Sequence, residues 1–187
     1  MSDPVDPAPA RCHGERRRAL IAETHALGVP RDYGRQRRLA PVREPRELMC
    51  IGEDIHGRRQ WLAPRAARAY ARMTAAAAAD AIELQLVSAY RSAEYQFGIL
   101  ERKLARGQAI EAILRVSAAP GYSEHHSGRA VDLTTPGFAA LEEAFEHSSA
   151  FAWLVANAQR FGFRLSYPRD NPHGIAYEPW HWCWHRA

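Results

Sequence analysis

Four short apolar segments limit what this chain can fold into: "IELQLVSAY" (82–90), "RAVDL" (129–133), "FRLSY" (163–167) and "IAYEPWHWCWH" (175–185). Each is short, is bounded by turn residues and carries enough alternation for a strand with one buried face. The stretches between them are helical by composition, but strand and helix do not alternate at the steady interval that builds a parallel sheet. The expected fold is therefore α+β, a small, mainly antiparallel sheet flanked by helices.

Helices are expected at 15–27 ("ERRRALIAETHAL", stopped by Gly28 and Pro30), from Pro64 to Asp80, and at 93–107 with Ser92 as N-cap. Shorter ones are expected at 109–115, 137–147 and 149–161. "LMCI" (48–51) reads as an edge strand, and "SAAPGYSEHHSG" (117–128) as a loop. With 187 residues, the chain has the size of one domain, 15–187, with its chemistry-bearing part in 82–187. The Pro-rich residues 1–14 are expected to be a disordered N-terminal segment.

Three cysteines, Cys12, Cys50 and Cys183, are too few and too scattered for a disulfide framework. The "AAAAADAI" run is short and contains Asp80, so no membrane span is expected. The first residues lack the apolar run of a secretory signal, which points to the cytoplasm for the sequence as written. Periplasm or cell wall would follow if a leader had been removed or release used another route. The formal charge of +4 is carried largely by arginines, many of them early: Arg11, Arg16, Arg17, Arg18, Arg31, Arg35, Arg37 and Arg38. No aromatic residues interleave this run as a nucleic-acid reader would need, so a solvated arginine-rich surface is the reading and no nucleic-acid partner is expected.

The polar loop is where chemistry concentrates. His125 and Asp132 are seven residues apart, a spacing that suits a loop residue and a strand residue folded toward each other, with Gly128 easing the bend. A catalytic zinc takes three protein ligands and leaves a fourth position open; His181 is the natural third. Glu178, three residues earlier, fits a general base. On a flat strand 178 and 181 would face opposite ways, so Pro179 must mark a kink. Spacing alone leaves a rival open: with nine histidines in the chain, a His–Asp pair also serves as a hydrogen-bonded structural pair.

Four segments, in order, add to this. "SEHHSGRAVDL" fits SxHxxGxAxD, "YEPWHW" fits ExWH, "SAYRSAEYQ" (88–96) fits SxYRSxxxQ, and "FGFRLSYP…GIAYEPWHW" follows the same run-in. Together they resemble the M15 zinc peptidases, the D-alanyl-D-alanine carboxypeptidase and dipeptidase group that includes the vancomycin-resistance carboxypeptidases. The resemblance implies one zinc per chain on His125, Asp132 and His181, with Glu178 as base. It implies that Arg91 stabilises the oxyanion or holds a substrate carboxylate, and that Ser123 and Gln96 line the cleft, with Trp180 as its floor.

The implied reaction is hydrolysis next to D-amino acids in peptidoglycan stem peptides or muropeptide fragments by a monomer, foremost as a D-alanyl-D-alanine carboxypeptidase. L,D-carboxypeptidase, D-Ala-D-Ala dipeptidase and L-alanyl-D-glutamate endopeptidase of the phage-lysin kind remain alternatives. A non-enzymatic alternative is a zinc-bound binding module resembling the hedgehog signalling domain, which would need neither Glu178 nor Arg91. His126 stands where relatives often carry Gln and competes with His125 as ligand. Cys183 and His185 share strand parity with His181, as a second metal set or as one polar strand face. Trp182 and Trp184 are expected in the core, and Tyr90, Tyr95 and Phe97 in the core or in helix–sheet contacts, while Tyr167 and Tyr177 flank the last motif and are candidates to reach substrate.

Overall fold

The computed structural model describes residues 14–185. Residues 1–13, with Arg11 and Cys12, lie outside the described residues, and so does nearly all of the segment expected to be disordered. Gly14 begins the first helix.

Six α-helices run in chain order among the described residues: α1 (Gly14–Ala26), α2 (Tyr33–Gln36), α3 (Pro64–Ala79), α4 (Ala93–Ala105), α5 (Ile110–Val116) and α6 (Ser149–Asn157). Strands β1 (Met49–Glu53) and β2 (Arg59–Leu62) form an antiparallel pair of their own. The main sheet holds β3 (Gln85–Ser88), β4 (Ala130–Thr134), β5 (Phe163–Leu165) and β6 (His181–Trp184), in the order β3-β4-β6-β5. Every pairing is antiparallel, as the irregular spacing of the strand segments requires.

The sheet has two differently used faces because side chains alternate along each strand. Val131 opposes Trp182 in the β4–β6 ladder, and both join Leu86, Leu133 and Phe163 in the main core. Helix α3 closes that core. Its buried Ala66, Ala69, Tyr70, Met73 and Ala77 recur at three- and four-residue steps, and the alanines let the helix approach closely. On the opposite parity Asp132 pairs with His181. All five residues of β4 are buried, so this polar pair sits inside the protein.

Local chemistry sets the boundaries. Pro64 starts α3 at a position where its missing N–H costs nothing. The Ser92 hydroxyl caps α4 by accepting from Tyr95 N at 3.0 Å. Helix α1 turns Leu20 and Thr24 inward, and Arg16 ties it to α4 through Glu94 at 2.8 Å.

Several expectations are revised. The helix expected over 137–147 is only a 3-10 turn, Glu143–His147, because Gly137 and Leu141 take positive φ. The one expected over 149–161 ends at Asn157 and tightens into a 3-10 turn at Ala158–Phe161. The last strand begins only at His181: Pro179 interrupts it and His181 N bonds back to Glu178 O at 3.1 Å. Strand β2 and helix α2 were not anticipated.

Gly128 ends the 3-10 turn Glu124–Ser127 in the left-handed region, φ +63°. A Cβ there would lie 2.9 Å from Ala63 N, which itself donates to Gly128 O at 2.7 Å. Left-handed strain and overpacking together should make Gly128→Ala cost roughly 2–4 kcal/mol. Thermal unfolding checks this: a Tm within a degree of the parent would mean the turn relaxes freely.

Candidate metal centre and active site

Three elements bring the polar cluster together. The 3-10 turn supplies His125, β4 supplies Asp132, and the first residue of β6 supplies His181. The cross-strand pairing fixes the last two: His181 Nδ1 lies 3.0 Å from Asp132 Oδ1. His125 Nε2 lies 3.2 Å from Asp132 Oδ2. One potential ligand atom from each residue falls within 4.8 Å of the others, and all three residues are buried.

The far side of each imidazole is also held. His125 Nδ1 faces the Ala89 carbonyl at 2.5 Å, which leaves Nε2 as the inward atom. His181 Nε2 faces Glu124 Oε2 at 2.9 Å, which leaves Nδ1 inward. A carbonyl and a carboxylate behind two histidines is the support that orients metal-bound imidazoles. His125 Nε2 is buried and faces the Asp132 carboxylate without hydrogen-bond geometry to it, a gap that a cation shared by the two would fill. Two imidazoles and a carboxylate suit zinc, so the residues present fit that ion.

His126 turns away. It is fully buried, its Nδ1 meets the Arg91 carbonyl at 2.7 Å, and it is not grouped with Asp132 and His181. Burial lowers it to about 3, so it stays neutral and braces the strand-to-helix loop that carries Arg91.

The cluster forms part of the wall of a cavity of about 500 Å³ that also includes Arg91, Gln96, Ser123, Tyr167, Glu178 and Trp180. Every residue expected at the site therefore borders one space. Glu178 reaches it from the bend before β6, its Oε2 3.9 Å from His181 Nδ1 and its side chain 12% exposed. Burial raises Glu178 to about 7; His181 and Arg91 pull the other way, and Asp132 and Glu124 add to the rise. Such a carboxyl gives and takes a proton near neutrality. Arg91 NH2 stands 3.9 Å from Asp132 Oδ2. Arg91 Nε and Gln96 Oε1 are buried without hydrogen-bond partners, while Gln96 Nε2 is anchored on the Ala118 carbonyl.

The remaining aromatic residues divide. Trp182 is in the core, Trp184 and Trp180 pack partly against it, and Tyr90 is buried and donates to Glu44. Phe97 packs on Leu20 and Ala93. Tyr95 departs from expectation, at 51% exposed, in a larger groove of about 1160 Å³ that meets the first cavity at Arg91, Ile99 and Leu141. Tyr167 and Tyr177 both border the smaller cavity, and the Tyr167 ring lies 4.9 Å from that of His181.

Two residues of the site escaped the sequence reading. Glu124, the variable position between Ser123 and His125, braces His181. Lys103 also borders the cavity and donates to Ser117 Oγ at 3.1 Å. Its helical spacing from Gln96, at i+7, was the available signal.

An α+β domain with a buried two-histidine, one-carboxylate set at a cavity wall and a carboxyl raised toward neutrality beside it has the architecture of a metallohydrolase. The chain belongs to the VanY family of D-alanyl-D-alanine carboxypeptidases, whose profile matches residues 59–187. It is 36% identical over 118 residues to a D-alanyl-D-alanine carboxypeptidase of Enterococcus faecalis, covering 57% of this chain and 42% of that protein. The chain thus spans less than half the length of that relative. Among solved structures it is similar to the LD-carboxypeptidase LdcB, with TM-score 0.68 and 31% identity over 75% of this chain and 69% of the other. It is also similar to the vancomycin-resistance D,D-pentapeptidase VanY in complex with Zn(II), with TM-score 0.61 and 30% identity over 78% and 82%. No helix among the described residues is long and apolar enough to cross a membrane.

The charges of the metal-free site make a prediction. Burial alone would lower His181, but the hydrogen bonds of Asp132 and Glu124 outweigh it and raise His181 to about 10. Burial lowers His125 to about 4, helped by Arg91. At pH 7 His181 therefore carries a proton that a cation at Nδ1 must displace. Zinc binding should release about one proton at pH 7, plus the fraction Glu178 holds, and apparent affinity should rise about tenfold per pH unit from 7 to 9. Calorimetry in buffers of different ionisation enthalpy reads this; release near zero would show His181 already neutral.

Proposed function

We propose that this chain is a zinc-dependent carboxypeptidase that removes the terminal D-alanine from D-alanyl-D-alanine-ended peptidoglycan stem peptides or their fragments. One zinc per chain is held by His125, Asp132 and His181. The observation that carries the reading is the conjunction of that buried set with Glu178 and Arg91 on the wall of one cavity. A binding module would need neither residue.

When bound, zinc supplies Lewis-acid polarisation of the scissile carbonyl and of the attacking water. Glu178 takes the water proton and hands it to the departing amine, a role suited to a carboxyl raised to about 7. Its burial keeps the proton near the reacting atoms. Arg91 offers a guanidinium whose Nε has no protein partner, suited to a substrate carboxylate or the developing oxyanion. Gln96 Oε1, equally unpartnered, is an acceptor for a substrate amide, and Ser123 and Trp180 complete the wall. The likeness to both a D,D-pentapeptidase and an LD-carboxypeptidase keeps the L,D reaction as the second reading.

Muropeptides of defined length, incubated with zinc-loaded protein and read by mass, test the assignment. A pentapeptide stem should lose one alanine. Shortening of the tetrapeptide in its place would move the activity to the L,D class, and cleavage inside the stem would make it an endopeptidase. Glu178→Gln should retain zinc and substrate binding while kcat falls by about 10²–10⁴. A variant turning over near the parent rate would remove Glu178 from the mechanism.

Arg91→Lys keeps the charge but loses the planar two-pronged contact. Its kcat/KM should fall by about 10²–10³. Near-normal kinetics would reduce Arg91 to a structural residue.

A further inference from the structure

Beyond His181, the last strand and the residue after it supply two more metal-ligating side chains that the peptidase chemistry does not use. Cys183 lies on the same strand parity as His181, about 7 Å further along by the rise of two residues. His185 follows just past the strand end. Glu124 reaches toward them from the 3-10 turn, and one ligand atom from each of Glu124, Cys183 and His185 falls within 4.8 Å of the others.

The backbone holds this second set in place. Cys183 sits between Ala130 on β4 and Arg164 on β5, and the alanine leaves room on their common face. Trp184 N donates to Arg129 O at 2.9 Å and His185 N donates to Gly162 O at 2.8 Å, so both ends of the Cys183–His185 stretch are pinned. Cys183 is buried, whereas Glu124 and His185 are only partly so, which leaves a path from solvent. The buried Ser166 hydroxyl lies beside the Glu124 carboxyl and helps to hold it ionised.

We propose that Glu124, Cys183 and His185 form a second metal site, taking a borderline-soft divalent cation such as zinc. A thiolate, an imidazole and a carboxylate are a ligand set of that preference. Ligand atoms around tetrahedral zinc stand roughly 3.5 Å apart at its usual bond lengths, a spacing inside the 4.8 Å within which the three donors already lie. With a neutral imidazole, thiolate and carboxylate balance the dication, which must displace the proton that burial and the Glu124 carboxylate, opposed only by Arg129, keep on the Cys183 thiol. Glu124 has acceptor sites to spare after its bond to His181, so one carboxylate serves both centres. The ion would tie the turn that carries His125 to the strand that carries His181. The proposal does not depend on which peptide is the substrate.

Cobalt(II) added to the chelator-stripped full chain is the test, followed by absorbance and by thermal unfolding. The first equivalent should give weak ligand-field bands alone, since no sulfur among the described residues lines the cavity of the catalytic set. A second equivalent should add an intense near-ultraviolet thiolate-to-cobalt band and raise Tm further. Cys183→Ser should abolish that band and the second equivalent while keeping the first. His185→Ala, which leaves the thiol in place, should weaken the second equivalent at least tenfold and spare the first, so the test does not rest on one variant's folding. A titration that ends at one equivalent without a thiolate band overturns the proposal. So does a thiolate band that persists in Cys183→Ser, because its sulfur would then be Cys50 or Cys12.

Discussion

The pairing of Asp132 with His181 across β4 and β6 is the contact on which the rest is built. It is set by strand register, and register in this sheet is set by the core: Val131 and Trp182, one position away, must face α3 and its alanines. A slip of one residue would turn Val131 and Trp182 out of the core and the two polar groups into it. Hydrophobic burial on one face thus fixes the geometry of the charged pair on the other. The buried carboxylate needs partners there, and His125 and His181 hold Asp132 well below its usual range although burial alone would raise it.

Around that pair the two adjacent histidines divide their work by direction. His125 turns into the cavity and His126 turns back to the Arg91 carbonyl, while Arg91 N donates to His125 O at 3.4 Å. The loop bearing the guanidinium and the turn bearing His125 are therefore stitched together at two points. Glu124, one residue before, completes the turn's contribution by bracing His181. A burial cost would raise its carboxyl, but its bond to His181 and that residue's charge bring it down to about 2. Four consecutive side chains, Ser123 to His126, thus line the cavity, brace His181, face Asp132 and hold the Arg91 loop.

What was legible in the sequence follows from what repeats locally. Helices α1, α3 and α4 could be read because capping, proline placement and spacing are signals within one turn, as Ser92 and Pro64 illustrate. The antiparallel sheet could be inferred from irregular strand spacing. The helix misread over 137–147 failed because positive φ at Gly137 and Leu141 is a tertiary outcome that composition does not display. His125, Asp132, His181 and Glu178 stood out by residue type and by resemblance, but their convergence is a matter of register. Glu124 was silent because nothing within the turn points to a strand 57 residues away. Tyr95 was misjudged for a related reason: helix period places it, but only packing decides which side of α4 meets protein.

The bend before β6 shows why an interrupted strand is useful here. Had residues 175–181 stayed extended, Glu178 would lie on the face opposite His181 and be committed to the core side. Pro179 breaks the ladder, and the resulting turn is secured from several directions. Glu178 N donates to Tyr167 O at 3.0 Å, His181 N to Glu178 O at 3.1 Å, and Leu133 N to Trp180 O at 3.0 Å. The Trp182 indole donates to Pro179 O at 3.0 Å. With its backbone so fully used, the bend has little freedom to move, and the carboxyl it carries is held at the cavity wall without a hydrogen bond of its own among the described residues. A carboxyl placed by backbone contacts and not by a side-chain partner is free to exchange its proton. Burial without a compensating partner is what raises Glu178 to about 7, and the bend before β6 is what holds that buried carboxyl at the cavity wall.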